Sequence, residues 1–264
     1  MANTDQSKRV ARQHLQSLQL MGVDFVPVGH GQTADHQNEA DDPDPQRSIT
    51  PTATSKSLFA AQIEPKVDSR ADRAAALEAL RTRHDAECTL CTQVEHITQT
   101  VFGEGDPNAS LMFVGEAPGE EEDRTGRPFV GRAGKKLDDI IRAMGLQREQ
   151  VFIANILKSR PPGNRTPLEH EVEACAPFLR EQIRIITPRV LVALGGPAAK
   201  WMLQTLIGIT RLRGSWAIYA DPDTGQTIPV MPTFHPAFLL RQYTRENREK
   251  VWSDMQAVMK KLAE

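Results

Sequence analysis

This chain of 264 residues has only three cysteines, Cys88, Cys91 and Cys175. Three thiols cannot make the disulfide framework that staples small secreted folds. No apolar run approaches the 18 residues that suggest a membrane span. The N-terminus lacks the apolar stretch of a secretory signal. The expectation is a soluble, cytoplasmic protein with no membrane partner. Net charge is nearly absent, with 32 basic residues against 34 acidic. Residues 1–70 carry seven basic and nine acidic residues, which leaves 25 of each beyond them. No global field announces nucleic acid, so a DNA reading has to rest on local Arg clusters. There is no internal repeat, and no G-x-G-x-x-G opens a helix as a dinucleotide site requires.

The chain divides at about residue 70. Residues 1–24 hold one amphipathic stretch, with Val10, Leu15, Leu18 and Met21 at roughly helical spacing. From about Gly29 to Asp68 the chain is rich in Asp, Gln, Pro, Ser and Thr. Such a composition buries too little surface to offset chain entropy, and a disordered linker is expected. Residues 71–264 read as the catalytic domain. A helix is expected from near Ser69 to about His84. Four apolar runs, Leu111–Val114, Val151–Ile156, Val190–Leu194 and Ile228–Phe234, read as strands. Helical patterns at about 134–144, 167–186, 197–206 and 246–262 alternate with them, Pro167 and Glu169 suiting a first turn. This predicts a three-layer α/β/α fold with a mainly parallel four-stranded sheet. Glu116, Asn155, Gly195-Gly196 and His235 each end or follow a strand. A parallel sheet would gather them at its carboxyl edge, where α/β folds place ligands.

The loop Gly115-Glu116-Ala117-Pro118-Gly119, running on through Gly126-Arg127-Pro128-Phe129-Val130-Gly131, resembles the first motif of the family-4 uracil-DNA glycosylases. The resemblance runs from Cys88 to the C-terminal helix and includes Asn164-Arg165 and His235-Pro236. It implies a bacterial or archaeal iron–sulfur enzyme that removes uracil from DNA to begin base-excision repair, here a monomer working near the nucleoid. It places Glu116 and Ala117 in the uracil pocket and makes Phe129 the platform for the flipped base. A plain turn and a core phenylalanine are the alternatives from the residues alone. Glu121, Glu122 and Asp123 read as a solvated face. Asn155 is an amide in an apolar strand; its carbonyl can accept from uracil N3–H while its amide donates to O4, a match that cytosine reverses. A local backbone cap is its other reading. His235 would stabilise the anion that uracil becomes on leaving. Leu239, with Leu240, would fill the vacated stack, and Arg241 would meet the adjacent phosphate. Core packing is the alternative for the leucines. Arg160 and Arg165 form a rigid basic loop suited to phosphate.

The resemblance also assigns Cys88, Cys91 and Cys175 to a [4Fe–4S] cluster. Its fourth cysteine falls at Ser159, so full thiolate ligation is impossible within this chain. An alkoxide from Ser159, another ligand, a weakened cluster or no cluster are the options. A zinc site with the three cysteines and His84, His96 or His170 is a rival. Wider members of the superfamily place an Asp at the position of Ala117 and an aromatic at that of Gly119. One branch traps uracil covalently through a Lys-Arg-Arg-Ile-His insertion that this chain lacks. A protein that flips and holds uracil without turnover is the alternative function.

Overall fold

The computed structural model describes residues 69–88 and 97–264. The proposed extension up to residue 68, with its amphipathic stretch and linker, and Cys91 and His96 lie outside them. In chain order the elements begin with α1 Arg70–Glu87, β1 Glu104–Gly105, β2 Leu111–Gly115, α2 Glu120–Thr125 and α3 Arg132–Ala143. There follow β3 Phe152–Asn155, α4 Glu169–Ile186, β4 Val190–Leu194, α5 Gly196–Leu203 and α6 Ile209–Leu212. The last are β5 Ala217–Ala220, β6 Thr227–Thr233, α7 Pro236–Arg241 and α8 Arg245–Ala263.

Helix α1 starts at a capping box: the Ser69 hydroxyl accepts from the Asp72 amide, and the Asp72 carboxylate accepts from Ser69. Two otherwise orphaned donors are satisfied together. Helix α4 begins after Leu168, so Pro167 stands just outside the first turn expected to hold it. The pattern over 197–206 stops at Leu203, because Gln204 turns left-handed with φ 48°.

The sheet has six strands in the order β1-β3-β2-β4-β6-β5, two more than expected. The four apolar runs form its parallel centre, β3-β2-β4-β6. Every residue of β2, β3 and β4 is buried, as strands covered on both faces must be. The added strands are antiparallel edges. β1 is two residues long, and β5, though its residues are all apolar, buries only Tyr219.

Alternate strand residues feed two cores. Met112 and Val114 pack with Leu77 and Leu80 of α1, Leu179 and Ile183 of α4, and Met202 of α5. Leu111 and Phe113 pack with Leu137 and Ile141 of α3 and Met255 and Val258 of α8. The three layers are therefore those expected. No helix among the described residues is long and apolar enough to cross a membrane.

Candidate active site

Parallel pairing sets the strand ends level. Gly115 is in register with Asn155, and Leu194 with Thr233. The residues at or just beyond those ends, Glu116, Asn155, Gly195 and His235, line one cleft of ≈ 820 Å³ together with Ala117 and Phe129. The topology places this cleft where β2 connects to β3 on one side and the chain then crosses to β4 on the other, the position where open α/β sheets bind ligands.

Asn155 is 1% exposed, and its Oδ1 has no hydrogen-bond partner among the described residues. A buried acceptor left unpaired is costly, so such an atom wants a donor from a ligand. The backbone around it is fixed from below. Lys158, wholly buried, donates from Nζ to the Asn155 carbonyl at 2.9 Å and to Gln182 Oε1 at 2.6 Å. Gln182 donates in turn to the Phe102 carbonyl at 2.8 Å. Gly115 forms the floor. A Cβ there would stand 2.3 Å from Asn155 Oδ1 and 2.6 Å from Phe129 Cζ, which leaves no room for any side chain.

Phe129 has φ 50°, a left-handed conformation that costs a bulky residue about 1–3 kcal/mol unless its surroundings enforce it. They do so from three sides. Glu122 Oε1 accepts from the Val130 and Gly131 amides, both at 2.8 Å, while its Oε2 accepts from Gly119 at 3.2 Å. Arg148 donates to the Phe129 carbonyl at 3.2 Å and to that of Pro128. Asp138 and Glu104 grip the same guanidinium, each at 2.7 Å. Burial works to raise the Glu104 pKa, but its hydrogen bonds with Arg127 and Arg148 outweigh that and lower it. Gly134 closes the third side, since a Cβ there would fall 1.9 Å from the Phe129 carbonyl oxygen.

The acidic run is thus not a solvated face. Only Glu121 points outward, to Arg124 at 2.6 Å. Glu122 ties two loops together, and Asp123, 4% exposed, accepts from the Thr98 amide at 3.0 Å. Glu122 and Arg148 are site-forming residues that sequence reasoning missed. The Gly-rich spacing around Glu122 gave a weak hint; nothing local marks Arg148.

The His235 ring lies 5.6 Å from that of Phe129, with the planes 34° apart. His235 caps α7, its Nδ1 accepting from the Ala237 amide at 3.1 Å. That bond assigns the proton to Nε2, which becomes a donor. Burial first, and then the Arg241 charge, lower its pKa to about 4 against a small opposing pull from Glu122. The imidazole is therefore neutral at ordinary pH. Glu116 is shifted the other way, its carboxyl pKa raised by burial.

The basic residues divide. Arg165 makes a two-pronged pair with Glu171, both contacts at 2.7 Å, and holds that carboxyl at about 2. Arg160 donates to Asn164 Oδ1 at 2.7 Å and stands 3.6 Å from Glu120. Arg241 lines the cleft, exposed and with no ion pair among the described residues. Leu239 is 3% exposed and packs with Phe234 and Val251. Its neighbour Leu240 is the partly exposed one.

A second group lies off the cleft. His84, Cys88 and Cys175 are all buried, and their ligating atoms lie within 4.8 Å of one another, a group able to hold a metal. Ser159 is 7% exposed, and His170 is exposed and outside the group.

Comparison with known proteins agrees with this architecture. A family model described as the uracil DNA glycosylase superfamily matches residues 102–256. The chain is 45% identical over 171 residues to the type-4 uracil-DNA glycosylase of Thermotoga maritima, covering 64% of this chain and 86% of that one. It is 46% identical over 158 residues to the type-4 enzyme of Sulfurisphaera tokodaii, covering 58% and 71%. With that of Archaeoglobus fulgidus it shares 39% over 180 residues, covering 67% and 88%.

Proposed function

The chain belongs to the uracil DNA glycosylase superfamily, and from that premise we propose how its cleft releases uracil from DNA. Its reaction is hydrolysis of an N-glycosyl bond in DNA repair. The observation that carries the residue assignments is the buried, unpaired Oδ1 of Asn155. In this reading Oδ1 accepts from uracil N3–H and the amide donates to O4. Cytosine presents an acceptor at N3 and a donor at C4, so it would leave both groups mismatched in a site that excludes water.

A base reaches this floor only when flipped out of its stack. Phe129, fixed at its unusual φ, offers the face on which uracil stacks, a contact typically worth about 1–3 kcal/mol. His235 then donates from Nε2 to uracil O2. As the bond from C1′ to N1 breaks, its electron pair stays with the base, and uracil departs as an anion. Water supplies the new oxygen at C1′, and its proton leaves with the products. A neutral donor prepositioned on O2 is engaged most strongly when that charge develops, so it lowers the barrier more than it aids binding. Glu116, beside the Gly115 floor, is assigned the exclusion of the thymine methyl group. Ala117 lines the pocket without supplying a base to activate water.

Arg241 meets the phosphate next to the flipped nucleotide, and Arg160 and Arg165 exchange internal partners for DNA phosphates. Leu239, with Leu240 beside it, takes the space left in the stack. The reading is of a cytoplasmic monomer beside the nucleoid. The metal group is assigned a structural role, because none of its described residues, His84, Cys88 and Cys175, lines the cleft.

The test is release of free uracil from an oligonucleotide bearing one deoxyuridine, with deoxycytidine and thymidine controls. The denatured protein is also scored for bound DNA. Turnover of deoxyuridine alone supports the assignments. Release of cytosine at a comparable rate, or uracil bound without turnover, overturns them.

A further inference from the structure

The rim of the cleft carries charge that the release of uracil does not use. Helix α3 opens with Arg132, Lys135 and Lys136 and has no acidic residue in its first turn. The helix dipole favours the opposite sign there, so these cations cost the helix stability unless an anion approaches from outside. Ala133 of the same turn lines the cleft.

The chain passes from α7 into α8 at Gln242-Tyr243-Thr244, a corner held by its own hydrogen bonds. The Thr244 amide donates to the Gln242 carbonyl at 2.9 Å, and Asn247 Nδ2 donates to the same carbonyl at 3.1 Å. The Thr244 hydroxyl accepts from the Asn247 amide at 3.2 Å. Tyr243 therefore stands on a fixed backbone, yet it is 57% exposed. Two cations attend its ring. Lys136 Nζ lies 5.3 Å from the ring centroid and Arg248 Cζ 4.8 Å, both inside the range at which a ring face attracts a cation. Lys136 is held in reach by Ile140, one turn further along α3, which packs on Leu239 of α7 and Val251 of α8.

The ring thus gathers two like charges that repel each other, two residues from a third, Arg241, in the cleft wall. The nearby carboxylates are already paired. Asp139 meets Lys136 at 2.8 Å and Arg142 at 3.3 Å, Glu249 meets Arg245 at 2.6 Å, and Glu246 meets Lys250 at 2.5 Å. Arg241 and Arg248 have no ion pair among the described residues. Gln242, Asn247 and Lys250 line the cleft beside them, so the patch is continuous with the wall past which the strand of a flipped nucleotide must run.

We propose that Lys136, Tyr243 and Arg248 form a phosphodiester-binding site that holds the DNA strand beyond the phosphate met by Arg241. The guanidinium and the ammonium donate to phosphate oxygens, and the ring keeps the two cations together before DNA arrives. Phosphate contacts fix register and orientation without reading sequence. The site therefore sets how firmly the strand is held while the base is out of its stack, and adds nothing to the choice between uracil and cytosine. It rests on the reading that the cleft takes a base flipped from DNA.

Two measurements on the full chain separate holding from chemistry. Affinity is read by fluorescence anisotropy on a duplex whose one deoxyuridine carries a 2′-fluorine, which resists hydrolysis. Chemistry is read as the rate of uracil release from ordinary deoxyuridine at saturating enzyme. Arg248→Gln and Lys136→Gln should each weaken affinity at least about fivefold and flatten the slope of log affinity against log salt by roughly 0.9, one phosphate contact. The saturated rate should stay within about twofold of wild type. Tyr243→Ala removes no charge and should weaken affinity at least about threefold, whereas Tyr243→Trp keeps a ring face and should restore it. Lys261→Gln is the control, a cation paired with Glu264 and about 20 Å further along α8 than Arg248, and it should match wild type. If the variants lose affinity as stated while the wild type releases no uracil, the chemistry assigned to the cleft falls and the phosphate site stands. Affinity and salt slope in Arg248→Gln and Lys136→Gln equal to those of Lys261→Gln, or a loss confined to the saturated rate, would overturn the site whether or not uracil is released.

Discussion

Asn155 and His235 do different work, and single substitutions separate them. Asn155→Ala removes the acceptor that meets N3–H, and Asn155→Asp reverses the donor that meets O4. Each should slow uracil release at least about tenfold, the rate equivalent of one specific contact. Single-turnover rates check this, and wild-type rates in both variants would remove Asn155 from the base pocket. His235→Ala should lower the rate of bound DNA strongly while leaving its affinity nearly unchanged, because the donor acts on charge that appears as the bond breaks. Loss of affinity with unchanged turnover would make His235 a positioning residue. The same histidine predicts a pH effect on stability. Its folded pKa of about 4 lies below the unfolded value of about 6.5. Between these values the unfolded chain binds the proton and the folded one does not, so stability falls as pH drops through that window. Relative to His235→Ala, the wild type should lose about 2–3 kcal/mol between pH 7 and pH 4.5. Urea unfolding at the two pH values measures it, and parallel curves would show that His235 does not titrate as a buried group.

At the scale of elements, the loop carrying Phe129 depends on contacts that no local pattern reveals. Gly134 opens α3 where alanine would favour the helix by about 1 kcal/mol, yet a Cβ would sit 1.9 Å from the Phe129 carbonyl oxygen. Sterics win at that distance. Gly134→Ala should therefore displace the Phe129 loop and cut uracil release by at least about tenfold, with far-UV circular dichroism unchanged. Gly208→Ala, with open space at its Cβ, is the control. Equal activity in the two variants would show that the Phe129 conformation is dispensable. The contrast explains what was readable beforehand. The central strands announced themselves as apolar runs, and polar residues at their ends gave Glu116, Asn155 and His235, because chain direction alone puts those ends on one edge. The clamps on Phe129 come from Glu122, Arg148 and Glu104, brought together by folding across gaps of up to 44 residues. The edge strands were too short or too mixed in exposure to register. Leu239 and Leu240 are both apolar, and only packing against Phe234 and Val251 shows which one turns inward here.

Among the described residues both sheet faces are covered, α1 has its own N-cap, and the two main cores draw on side chains beyond residue 76. The described residues that line the cleft all lie from Glu116 onward. The preceding segment has a composition too poor in large apolar residues to add a core layer. Deleting residues 1–68 should therefore leave the urea midpoint and its slope unchanged, since the slope follows the surface exposed on unfolding. Activity on a short oligonucleotide should stay within about twofold, below the tenfold that losing one specific contact costs. A lower midpoint with a smaller slope would mean that the N-terminal segment buries surface against the rest of the chain. Unchanged stability with lost activity on long DNA alone would instead assign it to binding away from the cleft, with the stretch from Val10 to Met21 the part suited to contact.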